Sequence, residues 1–506
     1  SNHNRVIGFI RNNKLAKLSI KNNETTNTFL TQATNSMGKT TKITYSRLDG
    51  DPNSGGYSPY YSVGSGATFP YQNFDDYYWA VTGVQSTINS GIVQDLSFTY
   101  SNGIVHKQGL GFRGFEKINT YDRINGFSNT ILYDPLQWGT VKQTILKDKQ
   151  IDYKYNISLT NKKEAIIRLA EEKITDQLTG YITTTNNTFD TYGNITQAIT
   201  KYGSDVIKQV NTTYKNNISN TFNLTGLPLA KQEKIQRNGL THLTSEDYTY
   251  NASNLVSSII QKINGNTQAI KSYEYDVFSN ILVEKETPYG ITKNTITTTN
   301  IYYPNGRDLK TTKNNQGHIT TYTYSGSLLA SAQDHKNNIT GYEYDAFGRL
   351  IKTLNPDGTI TTRTYNLSSL FGAYFMIEDS GTNIPTIVNY YDQLGRKVAN
   401  IEKHFDGSNI LTQTVYNSKG LLEKTSLPIK GTTPSAWNSI IYDAYNRPTT
   451  INYASGRKET YSYDKNKITS VIDGVTITKI IDAIGEDLSI TDVSGNITYK
   501  IGRAHV

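Results

Sequence analysis

The chain has 506 residues, a formal net charge of +8, 36% hydrophobic residues and no cysteine. The absence of cysteine excludes disulfides and thiolate metal sites. The sequence contains no run of 18 apolar residues, so it predicts no membrane-spanning helix.

The residue types predict an all-β fold. There are 38 tyrosines, and Thr, Ser, Asn and Gly fill much of the remainder. Tyr and Thr favour a pleated, half-buried surface, whereas Asn and Gly favour turns. Lys and Arg alternate with acidic residues without a basic run, so we expect no nucleic-acid partner. The seven histidines lack ligand spacing, so we expect no metal and no cofactor.

Residues 1–150 are predicted to form a β-rich lead-in segment. It contains Met37 to Tyr45, Asp76 to Val81 and Phe98 to Gly103, and then the motif Gly111-Phe112-Arg113-Gly114-Phe115. An Asp134-Pro135 pair follows, and we interpret it as a turn after a strand. Residues 162–177 have strong helical propensity but lead into strand-like sequence, so helix and strand both remain open there.

Residues 151–500 carry a repeat that predicts β-hairpins. Anchor tyrosines recur every 20 to 27 residues from Tyr275 to Tyr463. The predicted structural repeat residues are Tyr275 and Asp276; Tyr344, Asp345, Gly348 and Arg349; Tyr391, Asp392, Gly395 and Arg396; and Tyr442, Asp443 and Arg447. A second element, Asn/Asp-x-x-Gly/Asn-x-Ile-Thr, precedes many of these tyrosines, as at Asp334 to Thr340. The pattern predicts strand, turn, strand.

Each position of the repeat has a structural explanation. The aspartate can accept from the backbone N–H two residues later, and Gly or Asn tolerates the left-handed conformation that closes a short loop. Arg349 can cover a tyrosine ring in its own or the next hairpin. An active site needs one convergent geometry rather than many equivalent copies, so we predict no catalytic residues in this chain.

These motifs resemble a known family. The Tyr-Asp-x-x-Gly-Arg-Leu pattern is similar to the YD repeat of Rhs-type proteins from about Phe189 to Lys500. The ordered lead-in series ending in Gly-Phe-Arg-Gly-Phe resembles the segment that leads into the shell in the B component of bacterial Tc toxins and its secreted relatives. The resemblance implies a spiralling sheet of hairpins that forms part of a hollow Rhs-type shell, preceded by an exit from an upstream β-propeller.

The resemblance also implies a function. We expect a secreted or cell-surface bacterial protein whose shell encloses its own C-terminal toxic tail, with a Tc-type translocation component or other delivery machinery as a further partner. The family's self-cleavage motif uses paired Asp-Pro sequences, and the Asp134-Pro135 pair lies on the wrong side of the repeats. The alternative is a cell-surface adhesion or carbohydrate-binding protein that presents the same repeats.

Both ends of the chain are expected to be internal to a longer protein. The first residue is Ser1 rather than methionine. The last six residues, Ile501 to Val506, match one reading frame of a common sequencing adapter, so we expect them to be an assembly artefact.

Overall fold

The structure is a computed structural model of the chain. It describes residues 6–11, 14–19, 29–49, 58–160, 164–204, 206–218, 223–237, 239–289, 295–404 and 406–499. The adapter-like residues 501–506 lie outside the described residues. Over the described part, no helix is long and apolar enough to cross a membrane.

Nearly all regular structure is β-strand, and the all-β prediction is confirmed. The strands are β1 (Val6–Arg11), β2 (Lys14–Ser19), β3 (Gln32–Thr34), β4 (Thr40–Arg47), β5 (Tyr61–Ser62), β6 (Tyr71–Asn73), β7 (Trp79–Ile88), β8 (Gly91–His106), β9 (Gly111–Asp122), β10 (Phe127–Asp134), β11 (Thr140–Ile145), β12 (Lys149–Leu159), β13 (Ala165–Asp176), β14 (Ile182–Phe189), β15 (Ile195–Tyr202), β16 (Val206–Ile218), β17 (Asn223–Arg237), β18 (Leu240–Tyr250), β19 (Val256–Ile263) and β20 (Asn266–Tyr275). They continue with β21 (Ile281–Pro288), β22 (Ile296–Tyr302), β23 (Leu309–Lys313), β24 (Ile319–Ser325), β25 (Leu328–Gln333), β26 (Ile339–Tyr344), β27 (Leu350–Leu354), β28 (Ile360–Leu367), β29 (Phe375–Gly381), β30 (Ile384–Tyr391), β31 (Lys397–Lys403), β32 (Asn409–Tyr416), β33 (Leu422–Ser426), β34 (Ile429–Lys430), β35 (Trp437–Tyr442), β36 (Pro448–Asn452), β37 (Lys458–Asp464), β38 (Lys467–Ile472), β39 (Val475–Ile481), β40 (Asp487–Thr491) and β41 (Ile497–Tyr499). Two short 3₁₀ helices cover Pro135–Gln137 and Leu370–Gly372.

Strands β3 to β41 form one sheet, and nearly all of its pairings are antiparallel between neighbours in the chain. The exception in direction is the short pair of β5 with β8, which is parallel. Among the described pairings, β3 pairs with β4 alone and β41 with β40 alone, so the sheet is open at both ends. Residue 150, at the predicted border between the lead-in segment and the repeats, lies inside β12, and the sheet continues across it.

Residues 165–176 form strand β13, so the helical alternative for this segment is wrong. The strand pairs with β12 on one side and β14 on the other. Backbone bonds to two neighbours outweigh the modest helical preference of its Ala, Leu, Glu and Arg residues. The Asp134-Pro135 pair lies at the end of β10, where the aspartate side chain caps the 3₁₀ helix by accepting from the N–H groups of Leu136 and Gln137.

A register shift directly precedes most of the anchor tyrosines, although not Tyr365 or Tyr463. In the β26–β27 pair, Glu343 faces Lys352, but Tyr344 faces Leu350 because the ladder is offset by one residue between them. The same offset occurs before Tyr275, Tyr391, Tyr416 and Tyr442. A bulge of this kind bends the strand and redirects the side chain that follows it. The anchors are therefore positioned by a repeated irregularity.

The sheet has little apolar core. The described part contains two clusters of buried apolar side chains, one around Tyr390, Ala399 and Leu411 and one around Leu48, Tyr61, Phe74 and Ala80. Elsewhere most strand residues are half-buried. A sheet with this burial depends on cross-strand contacts and on its loops for stability.

Candidate functional site

The loop that follows Tyr344 shows how the repeat closes a hairpin. Asp345 N donates to Arg349 O and Gly348 N donates to Asp345 O, each at 2.9 Å. Oδ1 of Asp345 accepts from the N–H groups of Phe347 and Arg349, also at 2.9 Å. Gly348 has φ +76°, a conformation that glycine adopts without strain. Five residues thus satisfy one another's backbone groups.

The same loop recurs at both ends of the strands. Side-chain acceptance from the second and fourth following N–H groups is found at Asn35, Asp190, Asn251, Asp276, Asn314, Asp334, Asp392, Asn417, Asp443, Asp482 and Asp492. The sequence presented Tyr-Asp-x-x-Gly-Arg and Asn-x-x-Gly-x-Ile-Thr as different elements. They are one loop type at opposite ends of the strands, because the loops that connect successive antiparallel strands lie alternately at one edge of the sheet and at the other.

We call the row of loops that follow the anchor tyrosines the tyrosine rim. Its members include residues 190–194, 276–280, 345–349, 392–396, 443–447 and 482–486. The row at the other ends of the strands is the opposite rim, and its described members include residues 35–39, 89–90, 146–148, 177–181, 203–204, 239, 314–318 and 334–338.

The fifth loop residue is Arg or Asn for a shared reason. Arg349 Nε donates to Asp345 Oδ2 at 2.7 Å, while Asn280 Nδ2 donates to Asp276 Oδ2 at 2.9 Å. Either side chain therefore satisfies the second carboxylate oxygen. The sequence pattern did not reveal this equivalence.

Arginine also connects successive hairpins. The guanidinium carbons of Arg349, Arg396 and Arg447 lie 4.0, 4.4 and 4.1 Å from the ring centroids of Tyr365, Tyr416 and Tyr463. Each of these tyrosines belongs to the next hairpin, and Arg447 also lies 5.4 Å from the ring centroid of Tyr445 in its own loop. The geometry is that of a cation–π contact.

The tyrosine hydroxyl completes the connection. Tyr463 OH donates to Pro448 O at 2.8 Å, and Tyr416 OH donates to Lys397 O at 3.3 Å. Each of these carbonyls belongs to the residue that directly follows the arginine covering the ring. Tyr275 and Tyr442 make the equivalent bond to the preceding hairpin at 2.7 and 2.8 Å. Burial raises the pKa of Tyr442 and Tyr463, so both hydroxyls remain donors at neutral pH.

Acidification should loosen these loops. For Asp345 and Asp443, partial desolvation acts to raise the carboxyl pKa, but the backbone N–H groups and the guanidinium of the fifth residue together lower it below its usual value. A depressed folded-state pKa contributes stability above the unfolded value of about 4 and loses it as pH falls through the folded value. We expect backbone hydrogen exchange at these loops to accelerate below about pH 4.

Loops that begin with asparagine provide the control for this prediction. Asn417 accepts from the same two N–H groups at 3.0 Å but carries no titratable carboxyl. Exchange measured between pH 6 and pH 2, corrected for the intrinsic rate, should therefore stay flat at residues 417–421. A similar acceleration in both loop types would contradict the assignment to the carboxylates.

Loops far apart in the chain meet along a seam between the two rims. Gln393 Nε2 donates to Met37 O at 3.0 Å, and Gln393 Oε1 accepts from Asn89 N. Tyr181 OH donates to Ile481 O at 3.0 Å, although 300 residues separate them. The sheet therefore coils until its later tyrosine rim lies against its earlier opposite rim.

The seam also holds a buried ion pair. Arg237, at the end of β17, contacts the carboxylates of Asp482 and Glu486, the latter at 2.7 Å. The Asp482 side chain is only 2% exposed. Farther along, the Lys147 ammonium donates to Ala444 O and lies 5.3 Å from the Tyr445 ring centroid. Cations of the opposite rim thus bind acceptors of the tyrosine rim.

The lead-in motif Gly111 to Phe115 contributes to an aromatic cluster. Phe112 and Phe115 lie 5.1 Å apart between ring centroids, and Phe74 lies 5.0 Å from Phe112. Tyr61 OH donates to Phe74 O at 2.6 Å and accepts from Gly103 N at 3.1 Å. Arg113 points elsewhere, and its Nε donates to Pro135 O at 3.3 Å. The cluster packs β6 and β5 onto β8 and β9.

Gly103 leaves room for this cluster, so the substitution Gly103→Ala should be destabilising. A Cβ at this position would lie 2.9 Å from Phe74 Cβ and 3.0 Å from the Tyr61 hydroxyl. Overpacking of this kind costs about 1 to 3 kcal/mol. Gly341→Ala is the matched control, because the nearest atom there would be Leu354 Cβ at 3.6 Å. Thermal unfolding followed by tyrosine fluorescence should separate the two variants, and equal midpoints would contradict the packing argument.

The described residues offer no evident reactive centre. Within them, no group of three or more His, Asp or Glu side chains could hold a metal ion. The loop carboxylates are engaged by their own N–H groups, and a groove of about 400 Å³ between β17 and β20 is lined by mixed charges such as Lys231, Glu233 and Glu246. What the arrangement can do is hold a coiled sheet together.

Comparisons with known proteins agree with this architecture. No family model and no curated protein matches the sequence. A crystal structure of TcdB2-TccC3 aligns with 91% of this chain at a TM-score of 0.64 and 10% identity, and one without the hypervariable C-terminal region at 0.68 and 9%. A Tc holotoxin pore structure from Photorhabdus luminescens aligns with 93% at 0.66 and 9%. The chain spans only 36% to 38% of those chains' lengths, and the likeness shows a shared fold.

Proposed function

We propose that this chain is part of the wall of a toxin-complex shell, of the YD-repeat Rhs type, that encloses a C-terminal toxic tail. The observation that carries the proposal is the seam. A one-layer sheet whose late loops bind its early loops is built to surround a volume. The shared fold with TcdB2-TccC3 over 91% of the chain supports the same assignment.

This proposal assigns a separate role to each of the two parts of the chain. Residues 1–150 are the lead-in from an upstream propeller, anchored by the aromatic cluster around Phe74 and Phe112. Residues 151–500 are the repeat wall, in which the predicted residues such as Tyr344, Asp345 and Arg349 act structurally. The wall itself is not an enzyme, and the toxic activity resides in the enclosed tail. The adhesion alternative is not favoured by the fold comparison.

Location and partners are part of the same proposal. The protein is secreted or displayed on a bacterial surface, and its partners are its own tail and a Tc-type translocation component.

The test is made on the natural reading frame extended past residue 500. We expect electron microscopy of the extended protein to show a hollow particle and limited proteolysis to leave its tail intact. A seam variant, Arg237→Ala, should expose the tail to protease, whereas Arg363→Ala should not, because the Arg363–Asp379 pair lies within one coil and is partly exposed. A particle without a cavity would overturn the proposal, as would a tail that is cleaved at once in the unmodified protein.

A further inference from the structure

One loop of the tyrosine rim departs from the rule for the fifth residue. In the other described loops of this type that begin with aspartate, an Arg or Asn at the fifth position donates to the second carboxylate oxygen, as Arg447 does to Asp443 at 2.7 Å. The loops that follow this rule begin at Asp190, Asp276, Asp334, Asp345, Asp392, Asp443 and Asp492. Loop 482–486 reads Asp-Ala-Ile-Gly-Glu. At neutral pH its fifth residue is a carboxylate, which has no hydrogen to donate.

Arg237 supplies the missing donor from another part of the coil. The loop itself has the usual form, because Oδ1 of Asp482 accepts from Ile484 N at 3.0 Å and from Glu486 N at 2.9 Å. Oδ2 of Asp482 accepts from Nη2 of Arg237, which lies 245 residues earlier in the chain. Nη1 of Arg237 donates to Glu486 Oε2 at 2.7 Å. Arg237 thus fills the donor position that Arg447 fills in its own loop.

The loop depends on this contact in two ways. The side chain of Asp482 is 2% exposed, whereas that of Asp345, in a loop with its own arginine, is 19% exposed. In the closed coil, loss of Arg237 would therefore leave a buried carboxylate without its cationic partner. In an open coil, the carboxylates of Asp482 and Glu486 would lie close together with like charge, which disfavours the loop.

We propose that loop 482–486 is a closure-dependent loop, in which Glu486 replaces the internal donor by an acceptor for Arg237. The hairpin of β39 and β40 then reaches its full stability only when the turn of the coil that carries β17 lies against it. The same feature specifies which loops meet, because a loop with its own arginine at the fifth position would repel Arg237. The inference rests on the coiled wall proposed above, but not on an enclosed tail.

Hydrogen exchange of the 506-residue chain, measured by mass spectrometry on peptides covering β39 and β40, tests this dependence. Arg237→Ala should accelerate exchange there by about tenfold or more, because the Asp482 carboxylate loses its partner. Adding Glu486→Arg or Glu486→Asn to that variant should restore most of the protection, because these two residue types donate to the aspartate from the same position in the other loops.

Glu486→Leu in the Arg237→Ala background is the matched control. It removes the negative charge of the fifth residue but brings no donor. Leucine is the fifth residue of the loop that begins with Asn417, so the backbone of this loop type accommodates it. Exchange in β39 and β40 should therefore stay fast with leucine. Unchanged protection of β26 to β28 would establish that the rest of the sheet is folded in each variant.

A disulfide across the seam reports closure separately. The chain has no cysteine, and a Cβ at Gly203 would lie 3.6 Å from the Cβ of Ala483, which is within the range of a disulfide. In a chain with Gly203→Cys and Ala483→Cys, Arg237→Ala should lower the yield of the disulfide. Glu486→Arg with Arg237 retained should also lower it, because two guanidinium groups repel, yet β39 and β40 should keep their protection in the cysteine-free chain.

The possible outcomes separate this inference from the proposed wall. Rescue by arginine and asparagine but not by leucine would support the closure-dependent loop. Rescue by leucine to the same extent, or no rescue by any of the three while β26 to β28 stay protected, would overturn it. A disulfide that forms without any such rescue would overturn the closure-dependent loop alone, whereas a disulfide that never forms would overturn the coiled wall as well.

Discussion

Replacing Arg237 with alanine should open the seam, with a loss of about 3 kcal/mol in the local stability of the last hairpins. The substitution leaves the Asp482 carboxylate, which is 2% exposed, without its cationic partner. Removing one member of a buried pair costs about 3 to 5 kcal/mol, and the lower end applies because Glu486 is partly exposed.

Hydrogen exchange measured by mass spectrometry can locate this effect. Peptides covering β39 and β40 should exchange faster in the Arg237→Ala variant, while β26 to β28 keep their protection, because stability in a repeat array is set by nearest neighbours. Arg363→Ala is the control, since its exposed pair with Asp379 is worth about 1 kcal/mol or less.

A second substitution separates charge pairing from side-chain packing. Asp482→Asn, combined with Arg237→Ala, removes the buried uncompensated charge, and we expect it to restore part of the protection of β39 and β40. Unchanged exchange in the Arg237→Ala variant would show that the seam does not depend on this ion pair.

Replacing Asp443 with alanine should destabilise two neighbouring hairpins by about 1.5 to 3 kcal/mol, the typical range for hydrogen bonds to a charged group. The alanine loses acceptance from Tyr445 N at 2.8 Å and Arg447 N at 2.9 Å, together with the bond from Arg447 Nε at 2.7 Å. It also frees the arginine that covers Tyr463, so β37 should lose protection along with β35 and β36.

Two variants divide this effect into its parts. Asp443→Asn keeps the Oδ1 acceptor and should resemble the natural loop at Asn417. Arg447→Asn keeps a donor for Oδ2, as Asn280 does, but loses the contact with Tyr463, so exchange should increase in β37 rather than in the loop. If Asp443→Ala and Asp443→Asn behaved alike, the backbone acceptance would not be the source of stability.

The hairpin and its loop were predictable because their interactions are local. Asp345 binds N–H groups two and four residues later, and Gly348 adopts its left-handed conformation within the same five residues. Such chemistry is encoded in every copy. The equivalence of Arg349 and Asn280 was hidden, since it concerns a donor position shared by side chains of different size and charge.

In segment 165–176 the local helical propensity does not determine the secondary structure. Its residues favour a helix, yet it lies as β13 between two strands that supply partners for its backbone. Propensity differences of a few tenths of a kcal/mol per residue are small compared with backbone pairing to β12 along the whole strand and to β14 over Glu171–Thr175.

The seam could not be predicted from the sequence. No pattern links Arg237 to Asp482, Gln393 to Met37 or Tyr181 to Ile481, because which loops meet depends on how far the sheet has coiled after roughly 300 residues. That angle accumulates from the twist of every strand pair and from each bulge before an anchor tyrosine. The sequence by itself determined the hairpin and its loop, and only the tertiary structure decided which loops meet to close the coil.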